Sequence, residues 1–262
     1  MRSASVGFQC PDCVKEGSAT IRTPKAAYGG TAHDRPDVTH TLIGINVVVF
    51  VLTTLSGTGA AFGGHPSALF QKLALVPTTF IGGVHLLAGD GIAQGAYYRL
   101  LTSTFLHFGI VHIGLNMYCL YLLGPTLERA LGRLRFAVLY LLSGLSGAAL
   151  SYALGPSTEI AAGASGAVFG LFAAFFVLQH KRGGDVSAIA TTIGINLAFS
   201  FFAAGYIDWR GHVGGLIGGG LVAAALVYAP AKSRSAYQVG GVVGVALAVL
   251  LLVVVRTAAL TA

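Results

Sequence analysis

The feature that most constrains this sequence is a series of seven apolar runs separated by short polar segments. Most of the runs hold close to the 20 residues that a helix needs to cross a bilayer core of about 30 Å. Charged residues make up only 10% of the chain, against about 25% in a typical soluble domain, so we expect lipid to be its main solvent. The sequence therefore predicts an all-α, polytopic membrane protein. The runs cover residues 41–62, 104–124, 136–154, 161–179, 187–204, 208–228 and 239–255.

The positions of the Lys and Arg residues predict how the spans are oriented. With the N-terminus in the cytoplasm, twelve of the 16 basic residues fall in cytoplasmic segments, which follows the positive-inside rule. We therefore expect a multi-pass protein of the plasma membrane with its N-terminus inside and its C-terminus outside. The net charge of +7 comes from short clusters beside the spans, so it does not indicate a nucleic-acid partner.

The segments outside the spans suggest a division of the chain into three parts. Residues 1–40 are polar and are expected to form a flexible cytoplasmic tail. Residues 41–230 form the membrane core, and residues 239–255 add a C-terminal transmembrane helix. Within the core, residues 63–99 mix apolar stretches with Pro and Gly, so we expect them to pack on the outer side of the bundle.

Polar side chains inside the spans are the main functional signal, because lipid makes such groups costly. The second run holds His112 and Asn116, the fourth holds Ser165 and the sixth holds His212. In the predicted topology these three runs all descend from the outer face, and each begins shortly before its polar residue. At the helical rise, His112, Ser165 and His212 lie roughly 5–12 Å below the outer ends of their helices. Three candidate catalytic groups therefore share one depth, and the site is expected to open to the outer face.

Small residues recur at every fourth position on the fourth and sixth runs. Stripes of this kind allow two helix backbones to approach closely. If the stripes face each other, the Ser165 hydroxyl comes within hydrogen-bonding reach of the His212 imidazole, which can take the hydroxyl proton and activate the serine. The stripes are Gly166, Gly170 and Ala174 on the fourth run and Gly211, Gly215 and Gly219 on the sixth.

Acyl transfer at a serine also needs hydrogen-bond donors for the oxyanion that develops. His112 and Asn116 lie four residues apart on one helix face, and both side chains offer N–H groups. The backbone N–H of Ser165, near a helix N-terminus, is a third donor. Asp208 lies one turn before His212, where a carboxylate is expected to interact with the helix N-terminus rather than to act in catalysis.

With these motifs the chain resembles the rhomboid family of intramembrane serine proteases, in a bacterial and actinobacterial form. The resemblance covers about residues 41–230 and includes the H-x-x-x-N that begins at His112, the G-x-S-G around Ser165 and the G-H-x-x-G around His212. It implies a six-helix core, here followed by one further transmembrane helix. It also implies that Ser165 is the nucleophile and His212 the general base, with an oxyanion hole at His112, Asn116 and Ser165 and with no catalytic cofactor.

The resemblance implies supporting roles for three further residues. Phe169 stands where the family often has an aromatic ring stacked on the base. Tyr98 and Arg99 are similar to the family's tryptophan–arginine motif, with Tyr in place of Trp, and the segment around Glu128 is similar to its glutamate segment. Arg99 and Glu128 are therefore expected to brace the outer loop rather than to take part in chemistry.

The N-terminal C-x-x-C of Cys10 and Cys13 is similar to half of a small zinc-binding module that precedes the membrane core in some actinobacterial relatives. Tetrahedral zinc needs four ligands, and His33 and His40 are remote candidates for the others. A structural zinc and a module truncated at the start of the chain are both open interpretations.

Together these observations predict an intramembrane serine endopeptidase that acts on single-span membrane proteins in or near the transmembrane segment. The alternative is a catalytically silent, rhomboid-like protein that binds clients, which would usually have lost the Ser or the His. A proton-coupled transporter would need carboxylates near mid-membrane, whereas Glu128 and Asp208 lie at the ends of spans. We also expect a polar cavity, open to the outside, that residues 63–99 cap.

Overall fold

The computed structural model of this chain describes residues 2–3, 7–20, 25–31, 35–55, 57, 66–81, 84–85 and 90–262. These ranges contain ten α-helices and two antiparallel pairs of two-residue strands. The helices are α1 (Pro11–Thr20), α2 (Asp37–Leu55), α3 (Ala68–Leu73), α4 (Arg99–Thr102), α5 (Ile110–Leu131), α6 (Arg133–Leu154), α7 (Ser165–Lys181), α8 (Ser187–Phe202), α9 (Trp209–Val227) and α10 (Arg234–Thr261). The strand pairs are β1 (Arg2–Ser3) with β2 (Phe8–Gln9), and β3 (Phe80–Ile81) with β4 (Val84–His85).

Seven of the helices in the described ranges overlap the seven predicted runs, one helix to each run, so the all-α membrane fold is confirmed. By length and composition, five described helical segments can cross a membrane, namely α2, α5, α6, α9 and the segment that contains α10. The helices α7 and α8 are apolar but have only 17 and 16 residues. Seventeen residues cover about 25 Å of a core of about 30 Å. Lys181 ends α7 and Arg182 follows it, so Ser165 lies at the opposite end of the helix from these basic residues.

Glycine allows the central helices α6, α7 and α9 to pack backbone against backbone. A Cβ added at Gly215 on α9 would collide with the backbone of Gly166 on α7, and one at Gly219 would collide with Gly170. The two small-residue stripes therefore face each other, as predicted. On α6, a Cβ added at Gly147 would stand 3.2 Å from the Cα of Gly166, so the third helix also packs closely against α7.

Glu128 lies at the opposite end of α5 from His112 and from residues 66–99, so the expectation that it braces that loop is wrong. Its buried carboxylate accepts the backbone N–H groups of Val38 (3.0 Å) and Thr39 (2.8 Å) and the Thr39 hydroxyl (2.7 Å). Those N–H groups belong to the first turn of α2 and have no partner within the helix. Glu128 cannot reach the loop beside His112, because residue 128 lies about 24 Å along α5 from His112. Glu128 caps α2, which therefore begins at Asp37 rather than at residue 41.

The second span also differs from its predicted bounds of 104–124. Residues Ser103–Phe105 form a 3₁₀ turn, and α5 begins only at Ile110. The helix then continues through Pro125, although proline removes one backbone hydrogen bond. Leu123 and Leu127, on either side of Pro125, are buried in the core, and this packing maintains the helix.

The sequence suggested that the polar N-terminal segment is a flexible tail. The structure shows that part of this segment contacts the core. It carries α1, and a following turn packs on the core, where the Tyr28 N–H donates to the Ala130 carbonyl at 3.3 Å. Gln238 at the start of α10 donates to the carbonyls of Tyr28 (2.9 Å) and Leu226 (2.8 Å) and accepts from Arg135 Nε (2.8 Å). One buried amide thus joins the N-terminal turn, the core and the C-terminal helix.

Candidate active site

Ser165 is the first residue of α7. It follows Gly163, whose backbone conformation strongly favours glycine. Gly163 has a φ of 149°, and its N–H donates to the Ser103 carbonyl at 2.9 Å. A Cβ at Gly163 would stand 2.9 Å from Nε2 of His112 and 3.4 Å from Oγ of Ser165. The serine hydroxyl and the His112 ring therefore border the same small space beside Gly163.

His112 lies in the first turn of α5 and presents one ring nitrogen to this space. Its Nδ1 accepts a hydrogen bond from the backbone N–H of Phe108 at 3.4 Å, and the two rings are stacked at an angle of 8°. A neutral imidazole that accepts at Nδ1 carries its proton on Nε2. Nε2 and Cε1 form the edge of the ring that faces the Gly163 Cβ position, each 2.9 Å from it, so His112 directs an N–H donor to the region beside Ser165, as an oxyanion hole requires.

Asn116 lies one turn further along α5 and is buried. Its amide donates to the His112 carbonyl at 2.9 Å, which uses one of its two N–H groups. Among the described residues the second N–H has no protein partner. It is therefore available to a substrate oxygen.

His212 lies in the first turn of α9 and is held on two sides. The ring of Phe169 stacks on the imidazole, with ring centroids 4.3 Å apart and planes 17° apart. Phe169 stands one turn after Ser165, so the helix that carries the serine also fixes the plane of the imidazole. The Nδ1 atom of His212 lies 2.8 Å from the hydroxyl of Ser200 on α8.

The pairing of Ser165 with His212 stays a prediction. Among the described residues no hydrogen bond joins the two side chains in the free protein. Hydrogen bonds between catalytic groups are often long in free enzymes and shorten when substrate binds. Since Nδ1 of His212 faces Ser200, Nε2 is the nitrogen left for the nucleophile.

The charged groups around the start of α9 have structural partners. Asp208 caps the helix by accepting the N–H of Gly211 at 3.2 Å, which confirms the expected interaction with the helix N-terminus. Arg210 forms an ion pair of 3.2 Å with Glu159, in the loop that precedes Ser165. Burial raises the pKa of the Glu159 carboxyl, nearby Asp208 raises it further, and Arg210 opposes both effects. The ion pair links the two segments that carry Ser165 and His212.

Arg99 holds together the segment of residues 66–99. Its buried guanidinium donates to the carbonyls of Asp90 (2.8 Å), Gln71 (2.7 Å) and Ala74 (2.9 Å). The neighbouring Tyr98 ring lies 5.8 Å from the guanidinium carbon, so tyrosine provides an aromatic contact at this position.

The segment of residues 66–99 also pairs with the loop that leads to the serine. Leu75 and Ala161 exchange two backbone hydrogen bonds, of 2.9 and 3.0 Å. The described part of the segment therefore packs on the bundle, as predicted. Residues 63–65, before that segment, and residues 82–83 and 86–89 within it lie outside the described residues.

Among the described residues, no further side chains complete a zinc ligand set with Cys10 and Cys13. Cys10 and Cys13 are exposed at the start of α1, and among the described residues no group of three or more His, Cys, Asp or Glu could hold a metal ion. His33 lies outside the described residues. Two thiols supply half of the four ligands that structural zinc takes, so the described residues do not complete a site for this metal.

Two residues near the site had not been assigned a role from the sequence. Ser200 contacts the proposed base, yet a serine in a transmembrane helix usually bonds only its own backbone. His107 is buried edge-on against His112, with ring centroids 5.1 Å apart, and within the described residues neither of its nitrogens has a partner. The sequence signal that could have identified His107 is a titratable side chain within a predicted apolar run.

This chain is similar to one family of membrane proteins. The model of the Rhomboid domain matches residues 94–229, just over half of the chain. The rhomboid protease GluP of Bacillus subtilis is 35% identical over 226 residues, which are 82% of this chain and 40% of GluP. YdcA of the same bacterium is 35% identical over 136 residues, 50% of this chain and 68% of YdcA. The mitochondrial RHOMBOID-like protein 6 of Arabidopsis thaliana is 29% identical over 205 residues, 70% of this chain and 66% of that protein.

These similarities cover the part of the chain that holds the site. The matched domain contains His112, Asn116, Ser165 and His212, and the helices that carry them are those of a multi-pass membrane protein. The chain spans less than half the length of GluP. The chain belongs to the rhomboid family.

Proposed function

We propose that this chain is a serine endopeptidase that hydrolyses peptide bonds in or near the transmembrane segments of membrane proteins. One observation supports this function most strongly, which is the backbone contact between Gly166 on α7 and Gly215 on α9. It holds the helix starts with Ser165 and His212 side by side, at the end of the bundle where His112 also lies. The protease name of GluP agrees with this proposal.

In the proposed reaction, His212 takes the Ser165 proton as Oγ attacks the carbonyl carbon of the scissile bond. The negative oxygen of the tetrahedral intermediate is bound by Nε2–H of His112, by the free amide N–H of Asn116 and by the Ser165 N–H. When the intermediate collapses, the leaving amine takes the proton from His212. Water then hydrolyses the acyl-enzyme through the same groups, and no cofactor is needed.

The proposed substrates are single-span membrane proteins. A peptide bond within a helix has its backbone groups paired, so the substrate must unwind locally before its carbonyl reaches Ser165. Because Ser165 stands at the end of a helix of 17 residues, cleavage is expected near one face of the membrane. The Lys and Arg distribution supports the outer face of the plasma membrane, with residues 63–99 above the site.

The experiment compares wild type, Ser165→Ala and His212→Ala, purified in detergent, on a model single-span substrate. We expect wild type to cleave and each variant to lose at least roughly 10³-fold in turnover, as catalytic serines and histidines do elsewhere. Ser235→Ala, at an exposed serine of α10, is the matched control and should cleave normally. Unchanged cleavage by Ser165→Ala would refute the assignment. A folded wild type that binds the substrate without cleaving it would favour the client-binding alternative.

A further inference from the structure

We propose that Ser200 is a positioning residue that fixes the tautomer and orientation of the His212 imidazole. In this role a neutral hydroxyl on α8 takes the place that a carboxylate holds in serine hydrolases with a catalytic triad. The catalytic meaning of this proposal rests on the proposed function. The hydrogen-bond arrangement itself can be tested without any turnover.

The burial of Ser200 sets it apart from the rest of its helix. It is the single buried residue of α8, all sixteen residues of which the structure describes, and it is 2% exposed. Its neighbours Phe199, Phe201 and Phe202 are exposed, as side chains that face lipid would be. The Ser200 hydroxyl is therefore directed into the protein, where His212 lies.

The two contacts of the hydroxyl determine where the protons lie. Ser200 Oγ is 2.6 Å from the Asn196 carbonyl oxygen and 2.8 Å from Nδ1 of His212. A hydroxyl has one hydrogen to donate. Two oxygens only 2.6 Å apart repel unless a hydrogen lies between them, so Ser200 donates to the Asn196 carbonyl. The Oγ lone pair then faces Nδ1, and the contact is favourable only when His212 donates an N–H from Nδ1.

This arrangement selects the form of His212 that a general base needs. A neutral imidazole has one N–H, so a proton held on Nδ1 leaves Nε2 unprotonated and able to accept from Ser165. Phe169 fixes the plane of the ring, and Ser200 fixes its rotation within that plane. The carboxylate of Asp208 caps Gly211, and the atom in contact with Nδ1 of His212 is Ser200 Oγ.

The test is ¹⁵N NMR of histidine-labelled protein in detergent micelles, with the His212 signals assigned by their loss in His212→Gln. In wild type at a pH where His212 is neutral, Nδ1 should give the signal of a protonated nitrogen and Nε2 that of an unprotonated one. Ser200→Ala should lose this preference, whereas Ser200→Thr, which keeps the hydroxyl, should retain it. Thr192→Ala is the matched control, because it removes a hydroxyl of α8 that bonds the Ala188 carbonyl at 2.9 Å.

A wild-type spectrum with the proton on Nε2, or an unchanged spectrum in Ser200→Ala, would overturn the proposal. In turnover assays we expect Ser200→Ala to lower kcat about 3- to 10-fold with KM unchanged, the loss that matches one net hydrogen bond. Ser200→Thr should recover most of that loss. If wild type proves inactive, the proposed function fails while the NMR result still decides the tautomer. An unfolding temperature of Ser200→Ala close to that of wild type excludes loss of fold as the cause.

Discussion

Each side chain of the site has one hydrogen bond that determines which of its atoms faces the reacting groups. The Phe108 N–H donates to Nδ1 of His112, and Asn116 donates one of its amide N–H groups to the His112 carbonyl. The remaining N–H of each group is left for the substrate oxygen. Donors that are already oriented need not reorganise during the reaction, so they stabilise the transition state efficiently.

The role of Asn116 gives the first prediction at this scale. Asn116→Ala should lower kcat by roughly 10²-fold or more with little change in KM, because the lost donor acts on the developing oxyanion. Steady-state kinetics on the model substrate measures this split. Asn196→Ala is the control, since the Asn196 amide makes an equivalent bond to Thr192 on the lipid-exposed α8. A raised KM with unchanged kcat would contradict the oxyanion role.

Gly163 gives a second prediction. In Gly163→Ala the new methyl group would displace the His112 ring, and a displacement of about 1 Å can cost roughly 10² in rate. We therefore expect a loss of about that size in kcat. Gly183→Ala separates this effect from backbone strain, because Gly183 also has a positive φ, of 70°, but nothing lies within 4 Å of an added Cβ. Equal activity in both variants would show that the space beside Gly163 is not part of the site.

The sequence predicted those site residues whose polar side chains interrupt an apolar span, because such groups are costly in lipid. Ser165 and His212 stood out in apolar spans, and their small-residue stripes indicated which helices meet. Ser200 did not stand out, because its bond to the Asn196 carbonyl is what any serine in such a helix makes. Its second contact depends on how α8 lies against α9, which no local pattern specifies.

At the scale of helices, the requirement for about 20 apolar residues predicted every span, but tertiary contacts determined where the spans begin and end. The first turn of α2 is capped by Glu128, which lies far away in the sequence. The second span, predicted to end at residue 124, continues through Pro125 to Leu131, because packing in the core maintains the helix. Helix ends of this kind follow from contacts between elements, which are not encoded in the hydropathy of either element.

The contact between α7 and α9 yields the third prediction. Gly215→Ala places a methyl group against the Gly166 backbone, which cannot move aside as a side chain can. We expect a loss of about 1–3 kcal/mol in the free energy of unfolding, as overpacked cores show, and a lower unfolding temperature in detergent. Gly244→Ala on α10 is the control, since nothing lies within 4 Å of an added Cβ there. A Gly215→Ala protein with the same unfolding temperature as wild type would contradict the close packing of α7 and α9.

At the scale of the whole molecule, the N-terminal turn, the start of α10 and a group of basic residues that includes Arg133 and Arg135 meet at one end of the bundle. Gln238 joins these parts, and Arg133 pairs with Asp37 beside it. Ser165 and His212 lie at the other end. The positive-inside rule assigns the basic end to the cytoplasm and the candidate site to the outer half of the membrane.

Thiol labelling tests this orientation. Hydrogen bonds from the backbone N–H groups of Cys13 and Asp12 lower the pKa of the exposed Cys10 thiol, which favours reaction as a thiolate. A membrane-impermeant maleimide should therefore label Cys10 in inside-out vesicles and not in intact cells. A variant with both Cys10→Ser and Cys13→Ser keeps only Cys119 within α5 and is the control. Labelling of wild type in intact cells would reverse the assigned topology.

The most direct measurement of the central claim is to react the purified protein with a fluorophosphonate and to map the modified residue by mass spectrometry. Such reagents modify a serine whose proton is removed by a neighbouring base. The account predicts one adduct on Ser165, which is lost in His212→Ala although the serine remains. An adduct on another serine, or a protein that cleaves its substrate while Ser165 stays unmodified, would contradict it.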